Sequence, residues 1–262
     1  MAIWQAFVLG FVQGIAEFLP ISSSGHLILL QKWFGMQTET AVFYTIMLHV
    51  GTLVPVCIVL WKQIKGLFSD KWRRFWLLVL ATVPAGIAGI LFEKLIPLED
   101  IIAERYWILS VAFLFTAGEM IFSDIYAKKV SMVNPINAKS SFIMGCGQAI
   151  GVVSGISRSG STITFGNIAK VDKSENANWT FIMSIPIILA AVGLQCLDLI
   201  TGETAIGSID WIPLFIAVIT AMIVGYLTIK FMLNVIRKAN YKWFALYLVI
   251  ISTANLIVYL VK

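Results

Sequence analysis

Two polar interruptions, alike in sequence, sit inside apolar stretches of this chain. Residues 10–25 read GFVQGIAEFLPISSSG and residues 145–160 read GCGQAIGVVSGISRSG. A shift of 135 positions lays Gly10, Gln13, Ile15, Ile21, Ser22, Ser24 and Gly25 onto Gly145, Gln148, Ile150, Ile156, Ser157, Ser159 and Gly160. In hydrocarbon every backbone amide and carbonyl needs a partner inside the protein. A helix broken by Gly and Ser at that depth therefore has to line an enclosed cavity. Duplicated units with broken helices are one way a membrane protein builds a buried site for an anionic ligand from two halves.

The composition supports that setting. Of 262 residues, 59% are hydrophobic and only 13% charged, and the mean hydropathy is +0.90. A soluble domain of this length cannot hide so much apolar surface, so the expectation is an all-α polytopic membrane protein. The net charge is +5, but the basic residues fall in short loops. That pattern reads as membrane orientation and excludes a nucleic-acid surface. Cys57, Cys146 and Cys196 lie singly in apolar stretches, which suits packing and neither a metal site nor a disulfide framework. The N-terminus lacks a basic n-region, so no removable signal peptide is expected. No linker or low-complexity run divides the chain, which reads as a single membrane domain over 1–262 made of two repeats, about 1–122 and 139–262.

A helix needs about 20 apolar residues to cross the hydrocarbon. Six segments qualify: 41–61, 75–96, 106–122, 179–201, 211–233 and 243–260. The stretches around the two motifs do not. Residues 2–20 contain Gln5, Gln13 and Glu17 before Pro20 and three serines, and 142–156 is short and broken by Gly145, Gly147, Gly151 and Gly155. Each fits a re-entrant helix-loop-helix hairpin, over 2–35 and 142–170. Loop charge agrees. Loops 62–74, 123–141 and 234–242 are basic, whereas 97–105 (Glu99, Asp100, Glu104) and 202–210 (Glu203, Asp210) are acidic. Six spans and two hairpins place every strongly basic loop in the cytoplasm and both acidic loops outside. Each half is then a hairpin followed by three spans, so the repeats have inverted topology and both termini are external. Trp61, Trp76, Trp107, Trp179, Trp211 and Trp243 stand near segment ends, as interfacial anchors do.

Gln13 and Glu17 are four residues apart and share a helix face. A carboxylate inside a membrane is costly and points to function, although a structural hydrogen bond to a neighbouring helix is the competing reading. Pro20 stops the helix, and Ser22, Ser23, Ser24 and Gly25 precede a new apolar run. Serines there cap a helix N-terminus, whose free N–H groups attract anions. His26 follows directly. The second break, Ser154 to Thr162, carries Arg158 where the first has Ser23, flanked by Ser157, Ser159 and Gly160. A guanidinium at that depth suits phosphate oxygens. Glu17 can then take a proton from an attacking group or hold a divalent cation on the phosphate. His49 is the only other histidine; bonding to a backbone carbonyl competes with a role in the site.

At these residues the chain resembles the undecaprenyl-diphosphate phosphatases of the bacitracin-resistance (BacA/UppP) type. Their first motif is matched by Gln13, Glu17, Phe18, Leu19, Pro20, Ser22, Ser23, Gly25 and His26. Their second motif is matched by Gly155, Ser157, Arg158, Ser159, Gly160 and Thr162, with Ser154 standing in place of the usual proline. Gln13 replaces a glutamate found in many members. The similarity extends to Leu48-His49-Val50-Gly51-Thr52, Val83-Pro84-Ala85 and Ile185-Pro186. The resemblance implies hydrolysis of a polyprenyl diphosphate lipid to the monophosphate and inorganic phosphate, at the outer face of a bacterial plasma membrane. It also implies a divalent cation (Mg or Ca), and it allows a homodimer. By this resemblance Arg158 clamps the diphosphate and Glu17 is the base or the metal ligand. His26 is the nucleophile or the acid, with Ser23 as alternative nucleophile. Gln13, Ser22, Ser24, Gly25, Ser157, Ser159, Gly160 and Thr162 line the substrate. An inverted-repeat transporter or flippase for a lipid phosphate would use the same arginine and half-helices, without the acid and histidine chemistry.

Overall fold

The computed structural model describes residues 1–95, 101–102, 105–201 and 209–261. Among these the chain is helical without a strand, apart from an isolated bridge between Asn134 and Val171. The helices are α1 (Ile3–Ala16), α2 (Ser23–Trp33), α3 (Thr38–Val59), α4 (Trp61–Gly66), α5 (Arg73–Leu95) and α6 (Trp107–Lys129). They continue with α7 (Ala138–Ile150), α8 (Arg158–Ile168), α9 (Lys173–Ile182), α10 (Ser184–Thr201), α11 (Trp211–Lys238) and α12 (Lys242–Val261).

Among the described residues six stretches are long and apolar enough to cross a membrane: Thr38–Val59, Arg73–Phe92, Trp107–Lys129, Lys173–Leu194, Trp211–Lys238 and Lys242–Val261. They match the six expected spans in order and make this a multi-pass membrane protein. Large apolar side chains such as Ile87, Ile90, Phe215, Leu227 and Ile250 are exposed on their outward faces, as contact with lipid requires. α1 is apolar but has only 14 residues, too few to cross.

Two spans differ most from the expected boundaries, and the span expected to end at 233 runs on to Lys238. Residues 123–129 were expected in a loop, yet they extend α6. Asp124 explains it: Oδ2 accepts from Lys128 Nζ at 2.5 Å, one turn on, and Oδ1 accepts from the Tyr241 amide at 2.8 Å. The fourth span starts at Lys173, capped by Asp172 Oδ1, and breaks between Ile182 and Ser184. Pro186 lacks an N–H and crowds the carbonyl four residues before it, that of Ile182, which puts the break there. The acidic residues Glu99, Asp100, Glu104 and Glu203 lie outside the described residues.

The two polar interruptions separate α1 from α2 and α7 from α8. Each pair folds back so that its entrance and exit adjoin. Trp4 and Phe34 meet edge to face at 5.3 Å. Asn134 N donates to Lys170 O at 3.0 Å, and Asp172 N donates to Asn134 O at 2.8 Å.

Small residues let these short helices seat. α1 lies against α11 through Gly10 and Gly14, which face Ala217, Ala221 and Gly225. A Cβ on Gly10 would collide with the Ala217 carbonyl oxygen, and one on Gly14 would come 2.8 Å from Val224 Cβ. α7 lies against α5 in the same manner, with Gly145 over the Ala81 carbonyl. Close backbone approach of this kind is the main source of helix association in lipid, where water does not drive burial. Hydroxyls inside the bundle turn back on their own helices: Thr52, Thr116, Thr164 and Thr228 each donate to a carbonyl one turn earlier.

Gly10→Leu should unseat α1 and cost about 1–3 kcal/mol, the usual penalty of overpacking. Gly118→Ala, where nothing lies within 4 Å, should leave stability unchanged or raise it by about 1 kcal/mol. Thermal unfolding of both variants in detergent measures the contrast.

Candidate active site

The two interruptions meet. After α1, residues 17–21 turn, and Ser22 takes a positive φ of 69° to start α2. Its Oγ accepts from the Gly25 amide at 3.3 Å. Ser157 caps α8 in the same way, accepting from Gly160 N at 3.1 Å. The neighbouring hydroxyls pair alike, Ser22 with Ser24 at 3.4 Å and Ser157 with Ser159 at 3.2 Å. The breaks then bond to each other: Gly155 N donates to Ser24 Oγ at 3.3 Å, and Ser159 Oγ donates to Leu19 O at 3.2 Å. Gly155 has φ +95°, and a Cβ there would come 2.8 Å from that of Ala112, so glycine is needed on both counts. The first amides of α2 and α8, which helices leave without internal partners, open on this junction.

Glu17 occupies its centre with its side chain only 4% exposed. Arg158 Nη2, from the first residue of α8, donates to Glu17 Oε1. The other oxygen, Oε2, accepts from Ser23 Oγ at 2.8 Å and from Gln13 Nε2 at 3.0 Å. His49 Nε2, from α3, stands 3.3 Å from the same oxygen. So Gln13, Glu17, Ser23 and Arg158 come together as the spacing of the motifs suggests, joined by His49. Ser22, Gly25, Ser157 and Gly160 shape the two caps. Thr162 spends its hydroxyl on the Arg158 carbonyl at 2.8 Å, fixing the first turn of α8.

His26 does not join this cluster. Its Nδ1 lies 2.7 Å from Ser22 O and its Nε2 lies 2.7 Å from Tyr247 Oη on α12. The carbonyl can only accept, so Nδ1 carries the proton and Nε2 accepts from the tyrosine. The ring also stacks on Tyr247, with centroids 5.7 Å apart. Nδ1 is spent within the first turn of α2, and Nε2 holds α2 to α12. No sequence signal marks Tyr247, whose partnership spans most of the chain.

An acid and a hydroxyl within hydrogen-bond reach, a guanidinium on the acid's far side and two helix N-termini define a buried centre suited to phosphoryl transfer inside a helical membrane protein. Sequence comparison agrees. The profile of the family described as Bacitracin resistance protein BacA matches residues 6–254, and the chain belongs to that family. A Bacteroides thetaiotaomicron protein named undecaprenyl-diphosphatase is 36% identical over 97% of both chains. Proteins of the same name from Moorella thermoacetica (36%, over 96% of each chain) and Caldicellulosiruptor bescii (33%, over 100% of this chain and 99% of the other) are similar along their length.

Removing one member of a buried ion pair strands a charge, which costs about 3–5 kcal/mol. Arg158→Ala should therefore destabilise the protein by about that amount. Adding Glu17→Gln should recover part of the loss, so the two changes are non-additive in a double-mutant cycle on thermal unfolding.

Proposed function

We propose that this protein is an undecaprenyl-diphosphatase: it removes the terminal phosphate of undecaprenyl diphosphate, yielding undecaprenyl phosphate and inorganic phosphate. Family membership and the names of the relatives support the activity. The observation that carries it in the structure is the Ser23–Glu17–Arg158 junction. Arg158 moves from Glu17 onto the diphosphate, where it and the free amides of α2 and α8 stabilise the charge on the transferring group. Ser23 Oγ attacks the terminal phosphorus, passing its proton to Glu17 Oε2, while the bond to the bridging oxygen breaks and undecaprenyl phosphate leaves. Glu17 hands that proton to the departing undecaprenyl phosphate, then takes one from an attacking water and returns it to Ser23 Oγ as the phosphoserine bond breaks and inorganic phosphate leaves. The bonds of His26 favour a structural task for it over nucleophile or acid.

A divalent cation fits the same place. Glu17 Oε2 and Ser23 Oγ are oxygen donors 2.8 Å apart, and Gln13, whose Nε2 bonds the same Oε2, keeps its own Oε1 buried without a partner. Such oxygens suit a hard cation, which when bound offsets the charge of the diphosphate. An open apolar groove of about 580 Å³ runs along α3 past Val50, Leu53, Val54, Cys57, Ile58 and Trp61, beginning at the residue after His49. It offers a course for the polyprenyl tail.

In the bilayer the α1–α2 and α7–α8 pairs are re-entrant, and the halves are inverted repeats with both termini outside a bacterial plasma membrane. Contacts at the two ends of the bundle support this. Met1 N donates to Asp210 Oδ2 at 2.9 Å, so the N-terminus and the segment before α11 share one end. Arg74 Nη2 and Ile136 N both donate to Glu175, at 2.5 and 2.7 Å, and Tyr241 N to Asp124, which gathers the basic segments at the other. Each short helix packs on the second span of the opposite half, α1 on α11 and α7 on α5, as a twofold relation requires.

Purified protein should release phosphate from undecaprenyl diphosphate, and Ser23→Ala, Glu17→Ala and Arg158→Ala should each lower the rate by about 10²–10³-fold or more. Wild-type protein that binds the lipid but releases nothing under any metal condition would point to a carrier instead. In a cysteine-free background, Gln37→Cys should react with an impermeant maleimide added outside cells, and Lys129→Cys only after lysis. The reverse pattern would overturn the orientation.

A further inference from the structure

His49 is the neighbour of Glu17 that the proposed reaction leaves without a task. Its Nδ1 lies 2.7 Å from the Thr45 carbonyl oxygen, one turn earlier on α3. A carbonyl only accepts, so Nδ1 carries the ring proton, and in the neutral ring Nε2 presents a lone pair. That lone pair faces Glu17 Oε2 at 3.3 Å, acceptor against acceptor. A proton on Nε2 or a metal ion between the two atoms turns that contact favourable, and the surroundings distinguish them.

Three further observations say which. Gln13 is fully buried and bonds Glu17 Oε2 through Nε2, which leaves its Oε1 buried with no partner. Ser23 Oγ is 2.8 Å from Oε2. And two ligands each about 2.1 Å from one ion, about 100° apart at it, are about 3.2 Å from each other, close to the His49–Glu17 separation. A histidine whose second nitrogen is held by a backbone carbonyl is the arrangement metal-bound imidazoles take, because the bond fixes tautomer and orientation. Among the described residues no cluster of three or more His, Cys, Asp or Glu occurs. A cation here therefore draws on amide and hydroxyl oxygens, and on phosphate oxygens when substrate is present.

We infer that His49 Nε2 is a nitrogen ligand of the divalent cation at Glu17, and that the site therefore takes a first-row transition ion such as Mn2+ in preference to Ca2+. The inference rests on the reading of Glu17 as a cation ligand given above. Ca2+ takes oxygen ligands, whereas imidazole binds transition ions well. The charges set when the ion binds. Arg158 holds Oε1 while the ion approaches Oε2, and the two cations repel across one carboxylate. A phosphate or diphosphate that draws the guanidinium away relieves that repulsion, so ion and anion bind together more tightly than either alone.

The test is electron-spin-echo spectroscopy on full-length protein in detergent with Mn2+ and inorganic phosphate. The expected signal is a nitrogen coupling that changes from the 14N to the 15N pattern when the protein is grown with 15N-histidine. This labelling needs no substitution, and the second histidine has both nitrogens in other bonds. His49→Gln should abolish the coupling and weaken Mn2+ binding by about tenfold or more, and equimolar Ca2+ should not displace the ion. Mn2+ bound without histidine coupling, coupling that persists in His49→Gln, or no Mn2+ binding at all would overturn the ligand assignment. Displacement by equimolar Ca2+ would overturn the preference. A histidine-dependent coupling in protein that releases no phosphate from undecaprenyl diphosphate would sink the hydrolase reading and leave the ligand standing. Phosphate release without the coupling would do the reverse.

Discussion

The contact between Glu17 and Arg158 is the constraint to which the surrounding structure answers. Each group alone inside a membrane protein would be a stranded charge, and they come from positions 141 residues apart. For them to meet, the chain must stop two helices at the same depth and from separate halves. Stopping a helix leaves amides and carbonyls without intrahelical partners. The serine caps, the Gly155 turn and the bonds from Gly155 to Ser24 and from Ser159 to Leu19 satisfy them. Close seating of α1 and α7 through Gly10, Gly14 and Gly145 brings the breaks within reach.

Capping and chemistry use the same residues, which is why the motif is so dense. A serine that ends a helix inside protein must accept from an amide, and Ser22 and Ser157 do so. Their neighbours Ser23 and Arg158 occupy equivalent positions just inside the two new helices, where the free N–H groups gather. The two similar breaks differ at this position. One copy supplies a hydroxyl next to its own acid, the other a guanidinium, and the junction acquires both by facing the copies together. Neither half holds the full set.

The parts legible in sequence are those governed by local pattern. Apolar length gave six spans, and Pro20 and the paired Gly/Ser runs gave the interruptions. The four-residue spacing put Gln13 and Glu17 on one face, where they are found bonded. What local pattern could not give is which distant side chain fills the last hydrogen bond. His26 reads as part of the site because it adjoins Ser22–Gly25, but Tyr247 from α12 claims its Nε2. His49 reads as an isolated histidine in a span, and only the packing of α3 beside α1 aims it at Glu17. The extension of α6 depends likewise on Tyr241 reaching Asp124. In each case the decisive partner lies on another helix and leaves no periodic trace.

The arrangement also bears on what substrate binding has to accomplish. Both oxygens of Glu17 are engaged in this state: guanidinium on one, hydroxyl and amide on the other. A buried carboxylate so held is a poor base, since its electron pairs are engaged. An incoming diphosphate competes for Arg158 with more charge and more oxygens, and drawing the guanidinium away frees Oε1 while Ser23 stays aligned on Oε2. In the proposed reaction the ligand thus activates its own base by removing the cation that restrained it. A ligand without a second phosphate offers the arginine less and releases Glu17 less completely, so discrimination for the diphosphate follows from the same ion pair that holds the two halves together.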